Sequence, residues 1–153
     1  MTCKMVSCGI IILSHGDVLM GHVTNQSFWD IPKGGMEGGE DFAETAIRET
    51  FEETGLSLSR DDLTELGRFS YNRYKDLFLF ACDITPQNKK ETDLACNSTM
   101  SMVVDGVSEV VPEMDAFRFF SWYEAISKSP KSLSTLLKRL PQESPLEEFY
   151  IRF

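Results

Sequence analysis

The sequence has only four cysteines (Cys3, Cys8, Cys82 and Cys96), and none forms a C-x-x-C pair or stands at a zinc-finger spacing. That excludes a thiolate metal site of the usual kinds and reads as free thiols in a reducing compartment. Long apolar runs are also missing. The N-terminal stretch Gly9 to Leu13 is too short for a signal-peptide core or a membrane span. A cytoplasmic protein with no membrane partner is therefore expected. Basic residues are scarce: Lys and Arg together number 15 against 24 Asp and Glu, a net charge of −9. This argues against tight, unassisted binding to a nucleic-acid backbone, which needs a basic surface. It leaves open a phosphate substrate that arrives with divalent cations. Repeats, low-complexity tracts and linkers are absent, and the two histidines, His15 in a turn and His22 in a strand, receive no functional role.

What is present fits one globular domain spanning residues 1–153, with 42% hydrophobic and 25% charged residues. The β-branched run "KMVSCGIIIL", the turn "SHGD" and the segment "VLMGHV" read as a β-hairpin, and "FWDIP" as a short extended piece closed by Pro32. Residues 41–54 read as a helix capped by Asp41, with Glu44 completing a capping-box pattern and Gly55 at the left-handed position beyond its end. "LGRFSYNRY" and "KDLFLFACDI" read as two further strands, residues 86–100 as a surface loop with some extended structure, and "VPEMDAFRFFSW" as a loop followed by a strand. Short helices are expected over residues 123–140, and the tail after them has no assignment. The fold class is α+β, a mixed sheet with helices packed on it.

The segment "GGMEGGEDFAETAIRETFEETG" surrounds one basic residue, Arg48, with acids. On a helical wheel Ala43, Ala46, Ile47, Thr50, Phe51 and Thr54 share the face expected to pack on the sheet. Glu49, Glu52 and Glu53 stand at i, i+3 and i+4 on a narrower face, with Arg48 beside Glu52. Stacked like charges destabilise a helix, so an ordinary E-x-x-E-E is a solvated face. Here a glycine-rich loop, "PKGGMEGGE", precedes the helix and brings Glu40 towards it. Hard divalent cations take clustered oxygen ligands and are often shared with substrate phosphates. A metal–phosphate site is the alternative to the solvated face.

These residues resemble the Nudix box, G-x5-E-x7-R-E-U-x-E-E-x-G-U, in which U is bulky and apolar. Gly34, Glu40, Arg48, Glu49, Glu52, Glu53 and Gly55 fall in register and Leu56 fills the last apolar position, while Thr50 departs at the first. The resemblance implies an α/β/α sandwich and metal-dependent cleavage of a diphosphate linkage in a nucleoside diphosphate joined to another group. It implies that Glu49, Glu52 and Glu53 ligate Mg²⁺ or Mn²⁺, with a backbone carbonyl at Lys33 or Gly34. Arg48 would orient the glutamates and Glu40 would stand behind them. Arg48, Glu52 and Glu53 would be the catalytic residues within the box.

Outside the box, "WDIPKGG" is similar to the entry sequence of dinucleoside tetraphosphate hydrolases and RNA 5′-pyrophosphohydrolases. "PEMDAFRFFSW" resembles a stretch of the latter group whose glutamate acts as metal ligand or base, which carries over to Glu113. The plain reading of Glu113 is an exposed loop acid. Tyr71 and Tyr74 fall where dinucleoside polyphosphate hydrolases place a base-stacking tyrosine. Three residues apart on a strand, they would point to opposite faces. Lys33 is the better phosphate contact, ahead of Arg73 and Lys75, and Phe28 a candidate for the base pocket; Trp29 is equally a structural residue. The expected partner is a small nucleotide, or an RNA 5′ end, acted on by a monomer or homodimer. Competing readings are a hydrolase of ADP-ribose, FAD or related compounds, and a Nudix-fold module that binds a nucleotide without cleaving it.

Overall fold

The computed structural model describes residues 4–149 and 151–153; Cys3 lies outside them. Strand β1 (Met5–Ser14) turns through His15 and Gly16, both at positive φ, into β2 (Asp17–Val23). Two short strands follow, β3 (Trp29–Asp30) and β4 (Lys33–Gly35), and then helix α1 (Phe42–Thr54). Strands β5 (Thr64–Ser70) and β6 (Lys75–Asp83) form a hairpin, and β7 (Thr99–Val104) and β8 (Val107–Pro112) form another. Strand β9 (Met114–Phe120) leads into helices α2 (Trp122–Lys128) and α3 (Lys131–Glu143).

Seven strands make one mixed sheet in the order β3-β2-β1-β6-β5, with β4 also on β1 and β9 on β2. Strand β1 is central and runs parallel to β6, from Met5↔Lys75 to Leu13↔Asp83. Alternation along it supplies two cores. Ile11 and Leu13 join Leu77, Leu79, Trp122 and the buried leucines of α3 on one face; Cys8, Ile10 and Ile12 join Phe78, Phe80, Ala43 and Ala46 on the other. The result is the expected α/β/α arrangement: each sheet face hides its apolar side chains under a helical layer.

Strand β1 is in register with β2 at Leu13 and Ser14, whereas β4 pairs with it at Ser7, Cys8 and Gly9. The chain at Pro32 and Lys33 passes so close to β1 that a β-carbon on Gly9 would lie 2.7 Å from the Pro32 carbonyl oxygen. Gly9 therefore lets β4 sit beside β1 and aims Lys33 at the end of α1.

Helix α1 forms where expected. The Asp41 carboxylate accepts from the Glu44 N–H (2.8 Å), and Gly55, at φ 80°, donates its N–H back to the Phe51 carbonyl. The reciprocal half of the capping box does not form; the Glu44 carboxylate faces Arg60 instead (3.5 Å). The packed face also differs from the wheel. Phe51 is 48% exposed, while Thr45 and Glu53 are buried beside Ala43, Ala46, Thr50 and Thr54. Thr50 occupies the apolar slot, and its hydroxyl has no hydrogen-bond partner among the described residues.

Tyr71 and Tyr74 are not on a strand. They belong to the turn between β5 and β6, closed by the Tyr71 and Asn72 N–H groups donating to the Lys75 carbonyl. The β7–β8 hairpin turns on Asp105 and Gly106, both at positive φ, as a two-residue hairpin requires. The tail unassigned from sequence is docked: Leu146 is fully buried, Trp122 N–H donates to the Arg152 carbonyl, and Arg152 N–H donates to Gly16. Cys8, Cys82 and Cys96 are free, and burial pushes the thiols of Cys8 and Cys82 up to about 11. Among the described residues, no helix is long and apolar enough to cross a membrane.

Candidate active site

The acidic face of α1 is organised by one guanidinium. Arg48 donates through Nε to Glu40 (2.7 Å) and through Nη1 to Glu49 (2.9 Å) and Glu52 (3.2 Å). Its Nη2 donates to the Gly35 carbonyl (2.9 Å). Glu40 also accepts from the Glu37 N–H and the Thr45 hydroxyl. The Arg48 bond first, then the Glu37 N–H, holds its carboxyl down to about 2. One basic residue thus gathers four carboxylates, Glu37 at 3.6 Å being the fourth, and ties the glycine-rich loop to the helix.

Glu49 points towards β4. A β-carbon on Gly34 would overlap its carboxylate carbon and both oxygens, so a larger residue there would displace the Glu49 side chain. Burial pushes the Glu49 carboxyl up, Arg48 opposes this, and Glu52 and Glu113 add to the rise. Glu53 lies deeper, 5% exposed, and accepts from the Lys33 backbone N–H (3.0 Å). Burial, then the Glu49 and Glu113 carboxylates, push its carboxyl well above the usual range.

Glu113, between β8 and β9, reaches the same place from a distant part of the sequence. With Glu53, Asp30, Lys33, Val23, Met100 and Met114 it lines a cavity of about 190 Å³. Backbone bonds fix its position: Ser98 N–H donates to the Glu52 carbonyl (3.1 Å), Glu113 N–H to the Ser98 carbonyl (3.1 Å), and Thr24 N–H to the Glu113 carbonyl (3.1 Å). The loop before β7 therefore bolts Glu113 to the last turn of α1.

Other candidate residues separate. Lys33 borders the cavity with its ammonium bound to Asp30 (2.9 Å); burial alone would lower its pKa, but the Asp30 carboxylate outweighs that and raises it. Tyr71 is half-buried with the Lys33 ammonium 5.7 Å from its ring centre. Tyr74 is 71% exposed beside Arg73 and does not line the cavity, nor does half-buried Phe28. Trp29 packs edge-on against Phe120, a structural role. Asp30, Met100 and Met114 were not singled out from sequence. A buried acid in a short strand is a readable signal for Asp30, because such a group needs a partner. Nothing local marks the methionines.

Among the described residues, no group of three His, Cys, Asp or Glu side chains is arranged to hold a metal ion by itself. The chemistry of the donor set nevertheless fits a hard divalent cation. Glu49, Glu52, Glu53 and Glu113 offer only carboxylate oxygens, and positive charge would offset the burial and, after it, the carboxylate repulsion that raise Glu49 and Glu53.

A model of the NUDIX domain family matches residues 4–135. The chain is 40% identical over 124 residues, 74% of its length and 80% of the other, to an uncharacterized 17.7 kDa protein of the e-segB intergenic region of enterobacteria phage T4. Among solved structures it is similar to a MutT/nudix family protein from Enterococcus faecalis, with TM-score 0.59, 16% identity, and coverage of 78% of this chain. The match spans only 44% of that longer protein. It is also similar to a C. elegans Ap4A hydrolase in a binary complex, with TM-score 0.60, 19% identity, and coverage of 94% and 99%.

Proposed function

We infer that this chain, which belongs to the Nudix family, is a pyrophosphohydrolase whose substrate is a nucleoside diphosphate joined to a second group, with dinucleoside polyphosphates or RNA 5′ ends as the first class. The carrying observation is the convergence of Glu53 and Glu113 with Lys33 on one cavity at the end of α1. Residues 1–153 act in this reading as one catalytic unit in the cytoplasm.

A divalent cation, Mg²⁺ or Mn²⁺, would supply charge neutralisation on the phosphates and would lower the pKa of an attacking water. Glu49, Glu52, Glu53 and Glu113 would hold it, with the backbone at Gly34 alongside. Arg48 keeps Glu49 and Glu52 in fixed rotamers, so little reorganisation accompanies the reaction. Glu53 and Glu113 line one cavity, and in this reading either carboxylate would accept the proton of a water held there. Lys33 offers positive charge on the phosphate side.

Within this class, a net charge of −9 favours small nucleotides over long RNA. One observation favours a second reading, hydrolysis of ADP-ribose, FAD or related compounds. Neither Tyr71 nor Tyr74, the two alternatives for a base-stacking residue of the dinucleoside polyphosphate hydrolase kind, lines the cavity. The test is turnover of diadenosine tetraphosphate, 5′-capped RNA, ADP-ribose and FAD with Mg²⁺, with Mn²⁺ and with excess EDTA. Turnover that needs the cation supports the reading. Full activity in EDTA, or none on any substrate with either cation, sinks it.

A further inference from the structure

The β7–β8 hairpin stands apart from the seven-stranded sheet as its own two-stranded ribbon. Residues directly opposite on such a ribbon share a face. The pairs Met100↔Val111, Met102↔Glu109 and Val104↔Val107 make one face, which is apolar except for Glu109. Met100, Met102, Val104 and Val111 are only partly exposed, whereas Val103 and Val110 on the opposite face are 72% and 73% exposed. The part of this face formed by Met100, Met102, Val104 and Val111 is therefore the more covered part, while Val107, 59% exposed, and Glu109 on the same face stand in solvent. Met102 meets the Asn25 side chain in the loop after β2, and Met100 lines the cavity that holds Glu53 and Glu113.

That cavity is chemically divided. Asp30, Lys33, Glu53 and Glu113 supply charge, while Val23, Met100 and Met114 supply an apolar wall continuous with the ribbon. Its volume of about 190 Å³ falls short of the roughly 300–1,000 Å³ of pockets that enclose a whole ligand. A substrate with its phosphates at the charged end must extend outside, and Met100 in the cavity wall belongs to the ribbon whose same face carries Met102. Methionine is flexible and polarisable and makes favourable contacts with aromatic rings.

We propose that the methionine face of the β7–β8 ribbon binds a planar aromatic ring of the substrate, making Met100 and Met102 specificity-determining residues. This rests on the hydrolase reading above. The ring is a base or a flavin held outside the charged cavity, so selectivity between compounds with and without such a ring is set on the ribbon and cleavage on α1.

The test is the double variant Met100→Gln/Met102→Gln, which keeps side-chain length and removes the apolar, polarisable surface; its circular dichroism and melting temperature should match the parent. For diadenosine tetraphosphate and FAD, KM should rise about 10-fold, the scale of a few sulfur–aromatic contacts, with kcat unchanged. The inhibition constant of inorganic tripolyphosphate, which has no ring, should not move. Unchanged KM for both substrates overturns the proposal, as does equal weakening of tripolyphosphate or a matching fall in kcat. If the parent cleaves nothing, the hydrolase reading has failed, and the ribbon is judged by flavin fluorescence alone. FAD bound by the parent and lost in the double variant supports it, and FAD bound equally by both, or by neither, overturns it.

Discussion

Gly34 lies against Glu49 so closely that the carboxylate occupies the space a β-carbon at position 34 would need. The glycine has an ordinary backbone conformation, since its φ is not positive. Its requirement is room for a neighbour, and that neighbour is a candidate metal ligand. Gly34→Ala should push Glu49 off its bond with Arg48 and lower kcat by about 10²-fold, the scale of a displacement near 1 Å in a catalytic group. Steady-state kinetics beside a thermal melt would check it. Wild-type turnover in a folded variant would remove Glu49 from the site.

Glu53 is a buried acid whose neighbours include two more acids, so it costs the fold something that the site uses. Glu53→Gln keeps the shape and the oxygen that accepts from Lys33 N–H while removing one of the repelling charges. In EDTA its melting temperature should be equal to or above the parent's. With Mg²⁺ its kcat should fall by at least ~10²-fold, as for the loss of a positioned carboxylate. A variant that melts lower in EDTA and turns over normally would reverse the assignment, making Glu53 structural.

The legibility of this molecule followed how local each signal was. Asp41 and Gly55 fixed α1 because each acts on backbone groups of its own helix. The wheel misplaced Phe51 because it ranks side chains by hydrophobicity. The sheet selected the small residues Ala43, Ala46 and Thr50, which let the helix approach, and left Phe51 outside. Tyr71 and Tyr74 looked like strand residues, yet the Asn72 side chain accepts from the Tyr74 N–H and bends the chain into a turn. The Asp105–Gly106 pair inside "MVVDGVSEVV" was a readable hairpin signal in a stretch, residues 101–110, that received no assignment. Glu113 was found by resemblance alone. The bonds through Ser98 that place it join segments far apart in sequence, and no local pattern encodes them.

Acid should weaken the fold at one identifiable point near the start of β6. Asp76 accepts from Lys4 (3.1 Å) and Arg68 (2.9 Å), and the Lys4 bond, with that of Arg68 behind it, lowers its pKa. A carboxyl with a lower pKa folded than unfolded stabilises fully above the unfolded value, about 3.9. The benefit is lost as pH falls through the folded value. Urea midpoints of the parent and Asp76→Asn should therefore differ by a constant amount at neutral pH, and the gap should close below about pH 4. A gap that persists through the acid range would show that packing, not charge, is responsible.

The central position of β1 has a consequence for how the chain is made. Its buried run from Cys8 to Leu13 acquires its parallel neighbour at Lys75–Asp83, and the β2 hairpin is in register with its far end only. On the ribosome β1 emerges first and must wait for β6, with its backbone edge and apolar side chains unprotected. Parallel pairing across such a separation is slow, and unpaired apolar strand edges are where chains join one another instead of themselves. Nascent chains that stop short of Lys75 are consequently the sticky species. The strand most deeply hidden in the finished molecule is the one longest exposed while it is being built.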